Sequence, residues 1–252
     1  MNRLFCLLAV ALMVVVVSGC SSTNRLRMPS KQGCGEGCRV LFAQGVFGSP
    51  RYYKGGDQTK MDHVIAGVMQ SQLMAHMKTL ELDEFYGAFA DLRLAFEQQG
   101  IEVLPQRVII DYDNLQTKSA RNGSGKPTKD FSYYDREYNA DLIVMVKVER
   151  AGVERAYFGF VPLGSPDAVF SFKVIVVDPS NNDVVSNFSY KAEVDIEGEW
   201  DSPPGYRELS EAFYAAQNRA KDKLIEVVKQ AITTRAESSW LELLTKRVQV
   251  KL

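Results

Sequence analysis

The most informative segment of the chain is Asp141-Leu-Ile-Val-Met-Val-Lys-Val-Glu149. Apart from Lys147, every residue between its two acidic ends is apolar, and most of these residues are β-branched valine or isoleucine. Such a run predicts a continuous apolar β-strand. A short helix is expected just before it, over residues 133–138.

The residues that follow predict two more strands. Residues 169–177 alternate between the two faces of a sheet, and residues 179–183 (Pro-Ser-Asn-Asn-Asp) form a turn cluster. Residues 184–196 alternate again, with a slip of phase near Asn187 that predicts a β-bulge. After Pro203-Pro204-Gly205, residues 207–233 have the periodicity of a long amphipathic helix, and a separate short helix is expected around 240–244.

The preceding half of the chain mixes helix and strand signals. We expect a first strand at residues 39–47, a loop at 48–60, helices at 61–80 and 82–99, an extended segment at 101–110 interrupted by Pro105, and a loop at 111–130. Together these elements predict an α+β fold, or an α/β sandwich. Its mixed sheet would have about five strands, with amphipathic helices packed on one or both faces.

The composition is that of an ordinary globular protein. The 252 residues are 46% hydrophobic and carry a formal charge of -1. We find no basic stripe with interleaved aromatic residues, so we do not expect nucleic acid as a partner.

The amino terminus has the order of features found in an exported protein. Arg3 is followed by an uncharged apolar run over residues 4–17, too short to span a bilayer as a helix, and then by Ser18-Gly19-Cys20. The four residues Val17-Ser18-Gly19-Cys20 resemble the bacterial lipobox. An ordinary secretory signal or an amino-terminal anchor helix is the alternative.

The lipobox resemblance implies a lipoprotein. It implies cleavage before Cys20 and acylation of Cys20, with palmitate-type chains that hold the mature chain on a membrane. Ser21 resembles the residue found after the cysteine in lipoproteins sorted to the outer membrane, so we expect that membrane, with the body facing the periplasm. The chain then divides into a signal peptide (1–19), a polar tether (20–38) and one globular domain (39–252).

Two further cysteines lie close together in the tether, at Cys34 and Cys38. In an oxidising compartment such a pair predicts a disulfide. Free thiols and a metal site are the alternatives, although two thiolates supply only half of a tetrahedral zinc shell.

The mature domain has a second resemblance, carried by residue classes rather than by fixed residues. Asn139-Ala140-Asp141 leads into an apolar strand, a second strand ends at Val176-Val177-Asp178-Pro179, and an amphipathic helix follows. This order resembles the envelope domain shared by the curli-secretion lipoprotein and the amino-terminal domain of TolB, over residues 39–235.

No residue set predicts catalysis. Asp111 and Asp113 form a D-x-D that we interpret as a solvated strand end. Residues 123–126 (Gly-Ser-Gly-Lys) lack the remainder of a phosphate-binding loop. His63 and His76 are thirteen residues apart, too far along a helix to share one metal. We therefore expect no enzyme activity, no cofactor and no metal.

One segment is unusually apolar for its position between two strands. Residues 156–163 include Tyr157, Phe158, Phe160 and Leu163, which would form an apolar patch if exposed. We predict a partner-binding surface there; the alternative is that the segment joins the core or ends a longer strand.

These observations predict a lipid-anchored envelope lipoprotein that serves as a non-catalytic accessory or interaction module of a secretion, transport or assembly system. Its partner would be an envelope protein, and homo-oligomers are possible. An oligomeric secretion-pore component and an envelope hydrolase are the alternatives.

Overall fold

In the computed structural model, the described residues are 25–29, 37–55, 71–118, 128–159, 161–203 and 206–249. The strands are β1 (Arg39–Gly45), β2 (Arg51–Gly55), β3 (Glu102–Val103), β4 (Val108–Ile110), β5 (Thr117–Lys118), β6 (Thr128–Lys129), β7 (Leu142–Phe158), β8 (Val161–Asp178) and β9 (Asp183–Asp195). The helices are α1 (Ser71–Met77), α2 (Asp83–Tyr86), α3 (Ala88–Glu97), α4 (Ser132–Tyr138) and α5 (Arg207–Gln249).

One mixed sheet of seven strands forms the frame of the molecule. Its order is β3-β1-β7-β8-β9, with β2 also paired to β7 and β4 also paired to β1. Strands β1 and β2 run parallel to β7, and β3 and β4 run parallel to β1. Strands β7, β8 and β9 form an antiparallel meander. The predicted α+β fold with a mixed sheet is therefore confirmed.

Both faces of the central strands are covered, which explains the apolar run that opens β7. Even-numbered residues such as Val144 and Val146 pack in a core with α2, α3 and α5. Odd-numbered residues such as Ile143 and Met145 pack in a second core around Phe131, which precedes α4. A strand covered on both faces has no solvent side and needs no polar alternation.

Several element predictions differ from the structure. Residues 51–55 form β2 instead of loop, and short strands β5 and β6 pair with each other inside the predicted loop 111–130. The predicted helix 82–99 is divided into α2 and α3 at Gly87. Helix α5 continues to Gln249, so the predicted short helix near 240 is part of it. The bulge predicted near Asn187 is present and lies at Val185, because Val176 pairs with Ser186 and Val177 with Val184.

The tether also differs from the free linker that the sequence suggested. Leu26 is only 6% exposed and belongs to the core that α5 covers, and Met28 packs against the same core. The backbone N–H of Arg27 donates to Ser186 Oγ on β9 at 2.9 Å. We call residues 25–29 the N-terminal clip, because they attach the segment to the body.

Cys38 is buried and disulfide-bonded. Its expected partner Cys34 and the predicted lipidation site Cys20 both lie outside the described residues, as do His63 and residues 123–126. Their pairing and modification stay predictions. Among the described residues, no helix combines the length and the apolar composition needed to cross a membrane.

Candidate functional site

The apolar segment 156–163 is the tip of the long β7–β8 hairpin. Strand β9 stops pairing with β8 at Asp167, and the pairing of β2 with β7 ends at Ala156. Beyond these points, the described strands leave β7 and β8 paired only with each other, through Ala156 with Leu163 and Phe158 with Val161. We call residues 156–159 and 161–163 the hairpin tip.

The register of the tip places its apolar side chains on one face. Partners in an antiparallel pair share a face, and so do residues two apart on one strand. Ala156, Phe158, Val161 and Leu163 therefore lie side by side. The last three are 77%, 48% and 49% exposed, respectively. Three large apolar side chains thus form one exposed patch at a protruding end of the sheet.

Tyr157 is on the opposite face and departs from the expected surface. It is only 7% exposed, and its hydroxyl oxygen lies 2.9 Å from that of Tyr52 on β2. Tyr52 stacks on Trp200 with ring centroids 6.4 Å apart. Tyr157 is therefore buried against β2 and is not part of the exposed surface. Phe160 lies outside the described residues.

A single arginine fixes the base of the tip. Between the pairs Glu154–Asp167 and Ala156–Leu163, β8 contains two more residues than β7. Gly164 in this bulge has φ +67, in the left-handed region that favours glycine. Arg155 donates from Nε and a terminal nitrogen to the Gly164 carbonyl at 3.0 and 2.9 Å. Its guanidinium also lies 5.5 Å from the centre of the Trp200 ring.

The structure brings together a serine and a histidine that the sequence did not associate. His76 Nε2 lies 2.8 Å from Ser210 Oγ, and the imidazole stacks on Tyr206 at 4.8 Å. Burial lowers the pKa of His76. However, Ser210 Oγ also donates to the Tyr206 carbonyl at 3.0 Å. Because a hydroxyl has one proton, Nε2–H then donates to the serine, the reverse of what nucleophile activation needs.

The acidic residues of the predicted D-x-D have local partners. Asp113 forms an ion pair with Lys147 at 2.6 Å. Asp111 accepts hydrogen bonds from the backbone N–H and the side-chain amide of Asn114. Within the described residues, no cluster of three or more His, Cys, Asp or Glu side chains has the arrangement of a metal site.

Two other carboxylates meet across strands β8 and β9. Asp167 pairs with Asp195, and burial, followed by the neighbouring Asp195 carboxyl, raises the pKa of Asp167. A raised carboxyl pKa is one property of a general acid. These two residues do not line the cleft formed by α2, α3 and the β3–β4 loop.

A cleft of about 240 Å³ lies where the edge of the sheet is interrupted between β3 and β4. Its lining combines three aromatic rings and two arginines with smaller residues: Phe42, Tyr86, Phe89, Ala90, Arg93, Val103, Leu104, Pro105, Gln106 and Arg107. No sequence motif predicts this site, because its residues come from β1, α2, α3, β3 and the β3–β4 loop. We call it the Tyr86 cleft.

Comparisons with known proteins give structural neighbours only. No protein-family model matches the chain, and no curated protein matches it. One solved structure with a similar arrangement is protein XCC0632 from Xanthomonas campestris, a DUF330 protein. It is 12% identical, the match covers 86% of this chain and 96% of that one, and the TM-score is 0.36.

Two further neighbours are lipoprotein GNA1162 from Neisseria meningitidis and the PelC dodecamer from Paraburkholderia phytofirmans. The first is 12% identical over 73% of this chain and 99% of that one, with a TM-score of 0.27. The second is 15% identical over 76% and 89%, with a TM-score of 0.25. The neighbours thus include a bacterial lipoprotein and an oligomer, but TM-scores this low carry no inference about function.

Proposed function

We propose that the protein is a lipid-anchored interaction module of the bacterial cell envelope, which contacts a partner protein through the hairpin tip. The lipobox-like sequence ending at Cys20 supports the anchor, and Ser21 supports the outer membrane. The observation that carries the interaction is the exposed patch of Phe158, Val161 and Leu163. Solvent-exposed apolar patches of this kind mark contact surfaces.

The N-terminal clip limits how far the body can move from the bilayer. Five residues separate Cys20 from the buried Leu26, and a fully extended chain spans about 3.5 Å per residue. A lipid on Cys20 therefore holds the clip, and the part of β9 beside it, within about 20 Å of the membrane surface.

The hairpin tip lies at the far end of the sheet from the clip. Ser186, which binds the clip, pairs with Val176, and Val176 lies thirteen positions along β8 from Leu163, with twelve residues between them. At about 3.3 Å per residue this is about 40 Å along the strand. With the sheet directed away from the bilayer, the patch meets proteins of the envelope and not the membrane that holds the lipid.

The proposed role is non-catalytic. It is supported by the hydrogen-bond directions at Ser210 and His76, which oppose nucleophile activation. The oligomeric pore component and the envelope hydrolase remain the alternatives.

Site-specific photocrosslinking in living cells tests the role of the tip. Benzoylphenylalanine placed at residue 158 of the full chain should give a discrete protein adduct. Adding Leu163→Asp to the same chain should remove the adduct, because the charge disrupts the patch without entering the core. The matched control is the same probe at Ile109, which is 61% exposed on β4 and should give no such adduct.

Other outcomes would count against the proposal. Adducts only to lipid would show that the tip touches the membrane, and equal adducts from residues 109 and 158 would show that the tip has no specificity. A separate test addresses the anchor: Cys20→Ala should remove the acyl mass and release the chain from the membrane fraction. An unchanged mass would overturn the lipoprotein assignment while leaving the crosslinking result intact.

A further inference from the structure

The Tyr86 cleft contains a buried polar group without a described partner. The Tyr86 hydroxyl oxygen makes no hydrogen bond to any described residue, although it is shielded from solvent. Burial raises the pKa of Tyr86 to about 12, and a side-chain interaction with Gln44, followed by the charge of Arg107, offsets part of the rise. The hydroxyl is therefore protonated at neutral pH and can donate a hydrogen bond. Buried hydroxyls are normally paired, so the Tyr86 O–H can donate to an acceptor that binds in the cleft.

A guanidinium lies beside this hydroxyl. Arg107 lies 5.9 Å from the centre of the Tyr86 ring and donates to Gln44 Oε1 at 2.7 Å. No described carboxylate forms an ion pair with Arg107, and the contact with Gln44 uses one of its five N–H donors. The second arginine of the cleft, Arg93, is already engaged by the Val103 carbonyl and Glu97.

The remaining walls of the cleft are aromatic. The Phe42 and Phe89 rings stack with centroids 5.9 Å apart, and the Tyr86 ring meets Phe89 edge to face at 5.9 Å. Small-molecule sites in proteins combine such apolar walls with a few convergent polar groups. The cleft volume is about 240 Å³. It accommodates one substituted benzene ring, since an apolar cavity of about 150 Å³ is large enough to bind benzene.

We propose that the Tyr86 cleft binds a small organic carboxylate that carries an aromatic or branched apolar group. The apolar group packs against Phe42 and Phe89, and the carboxylate accepts hydrogen bonds from the Tyr86 hydroxyl and from Arg107. A carboxylate is favoured over a neutral ligand because the lining contains two arginines and no acidic residue, and Glu97 offsets only one of them. This site requires neither the lipid anchor nor the hairpin tip.

Equilibrium dialysis with radiolabelled phenylacetate tests the site on the purified full chain in detergent. Phenylacetate should bind at least tenfold more tightly than phenylacetamide, which has the same ring and no charge. Arg107→Gln should weaken phenylacetate binding at least tenfold, and Tyr86→Phe should weaken it severalfold. Arg136→Gln is the matched control, because Arg136 is exposed on α4 at the other face of the sheet and should leave binding unchanged.

Thermal melting of each variant shows whether it is folded; Arg107 is exposed, so its replacement should not unfold the chain. Equal binding of the acid and the amide, or binding unaffected by Arg107→Gln in a folded variant, would overturn the proposal.

A further comparison identifies the source of the carboxylate. Tighter binding of acetyl-Gly-Phe than of phenylacetate, lost when the peptide terminus is amidated, would assign the site to a polypeptide carboxyl terminus; otherwise it is assigned to a free acid.

Discussion

The hydroxyl oxygens of Tyr52 and Tyr157 lie 2.9 Å apart and connect β2 to β7 at the base of the hairpin tip. Burial, together with the hydrogen bond to Tyr157, raises the pKa of Tyr52 well above its ordinary value. The Tyr52 hydroxyl is thus neutral at physiological pH, and one of the two hydroxyls donates to the other. Since Tyr157 is adjacent to exposed Phe158, this bond helps to fix the direction in which the patch points.

A double-mutant cycle on this pair should reveal the coupling. Tyr52→Phe and Tyr157→Phe should each lower the free energy of unfolding by about 1 kcal/mol, because each removes the hydrogen bond between the two hydroxyls. The double variant should lose about 1 kcal/mol less free energy of unfolding than the sum of the two single losses. Urea unfolding of the four proteins measures these values. Strictly additive effects would show that the two hydroxyls do not interact.

The pairing of β2 with β7 depends on a glycine. Gly152 has φ +143, and a Cβ atom there would lie 1.9 Å from the Arg51 carbonyl oxygen on β2. Gly152→Ala should therefore displace β2 and lower the free energy of unfolding by about 3 kcal/mol or more. Gly159→Ala is the matched control: its φ is also positive, at +58, but a Cβ atom meets nothing within 4 Å.

Gly159→Ala should lower the free energy of unfolding by only about 1 kcal/mol, which is the strain of an alanine in the left-handed region. Denaturant unfolding of both variants measures the difference. Equal costs for Gly152→Ala and Gly159→Ala would contradict the claim that close backbone approach, and not backbone conformation alone, requires Gly152.

The sequence predicted those elements whose local pattern is strong and missed those that depend on distant partners. The apolar run of β7, the alternation of β8 and the turn after Asp178 each contain their own signal. Strand β2 reads Arg-Tyr-Tyr-Lys-Gly, with no alternation between apolar and polar residues, and it is a strand because β7 offers it an edge beside Gly152. Pairing context of this kind outweighs intrinsic strand propensity.

The candidate sites show the same division. Phe158 and Leu163 were found because apolar residues between two strands are conspicuous locally. Tyr86 and Arg107 were missed because the α2–α3 segment and the β3–β4 loop meet only in the fold, and neither residue is unusual in its own segment. Ser210 and His76 are 134 residues apart, so no spacing motif connects them. Leu26 was missed because one leucine in a polar segment does not predict burial.

The paired carboxyls of Asp167 and Asp195 should produce a pH-dependent stability. The pKa of Asp167 is higher in the folded state than in the unfolded chain, so folding disfavours its charged form. The wild type is therefore destabilised at pH values above the raised pKa and recovers this stability as the pH falls through it towards the unfolded value of 3.8.

Asp167→Asn removes the ionisable group at this position. It should increase the free energy of unfolding at pH 7 and have little effect at pH 3, where both states of the wild type are protonated. Urea unfolding at the two pH values measures this. Asp222→Asn, on the exposed side of α5, is the control and should show no such pH-dependent gain. A loss of stability at pH 7 in Asp167→Asn would contradict the inferred repulsion.

The N-terminal clip should protect its own backbone from proteolysis. Leu26 is buried and the Arg27 N–H is hydrogen-bonded to Ser186, so trypsin can reach the bonds after Arg25 and Arg27 only when the clip detaches. Leu26→Ser removes the apolar contact that opposes detachment. It should lower the free energy needed to detach the clip by about 2 kcal/mol. The detached population, and with it the cleavage rate, should rise more than tenfold.

Leu94→Ser is the control, because Leu94 is an exposed leucine on α3 and its replacement should leave cleavage at the clip unchanged. Amino-terminal sequencing and mass spectrometry of the fragments measure the rates. Cleavage of the wild type as fast as that of an unstructured peptide would mean that the clip is mostly detached. The limit of about 20 Å between the body and the bilayer would then no longer hold, and the tip could reach the membrane.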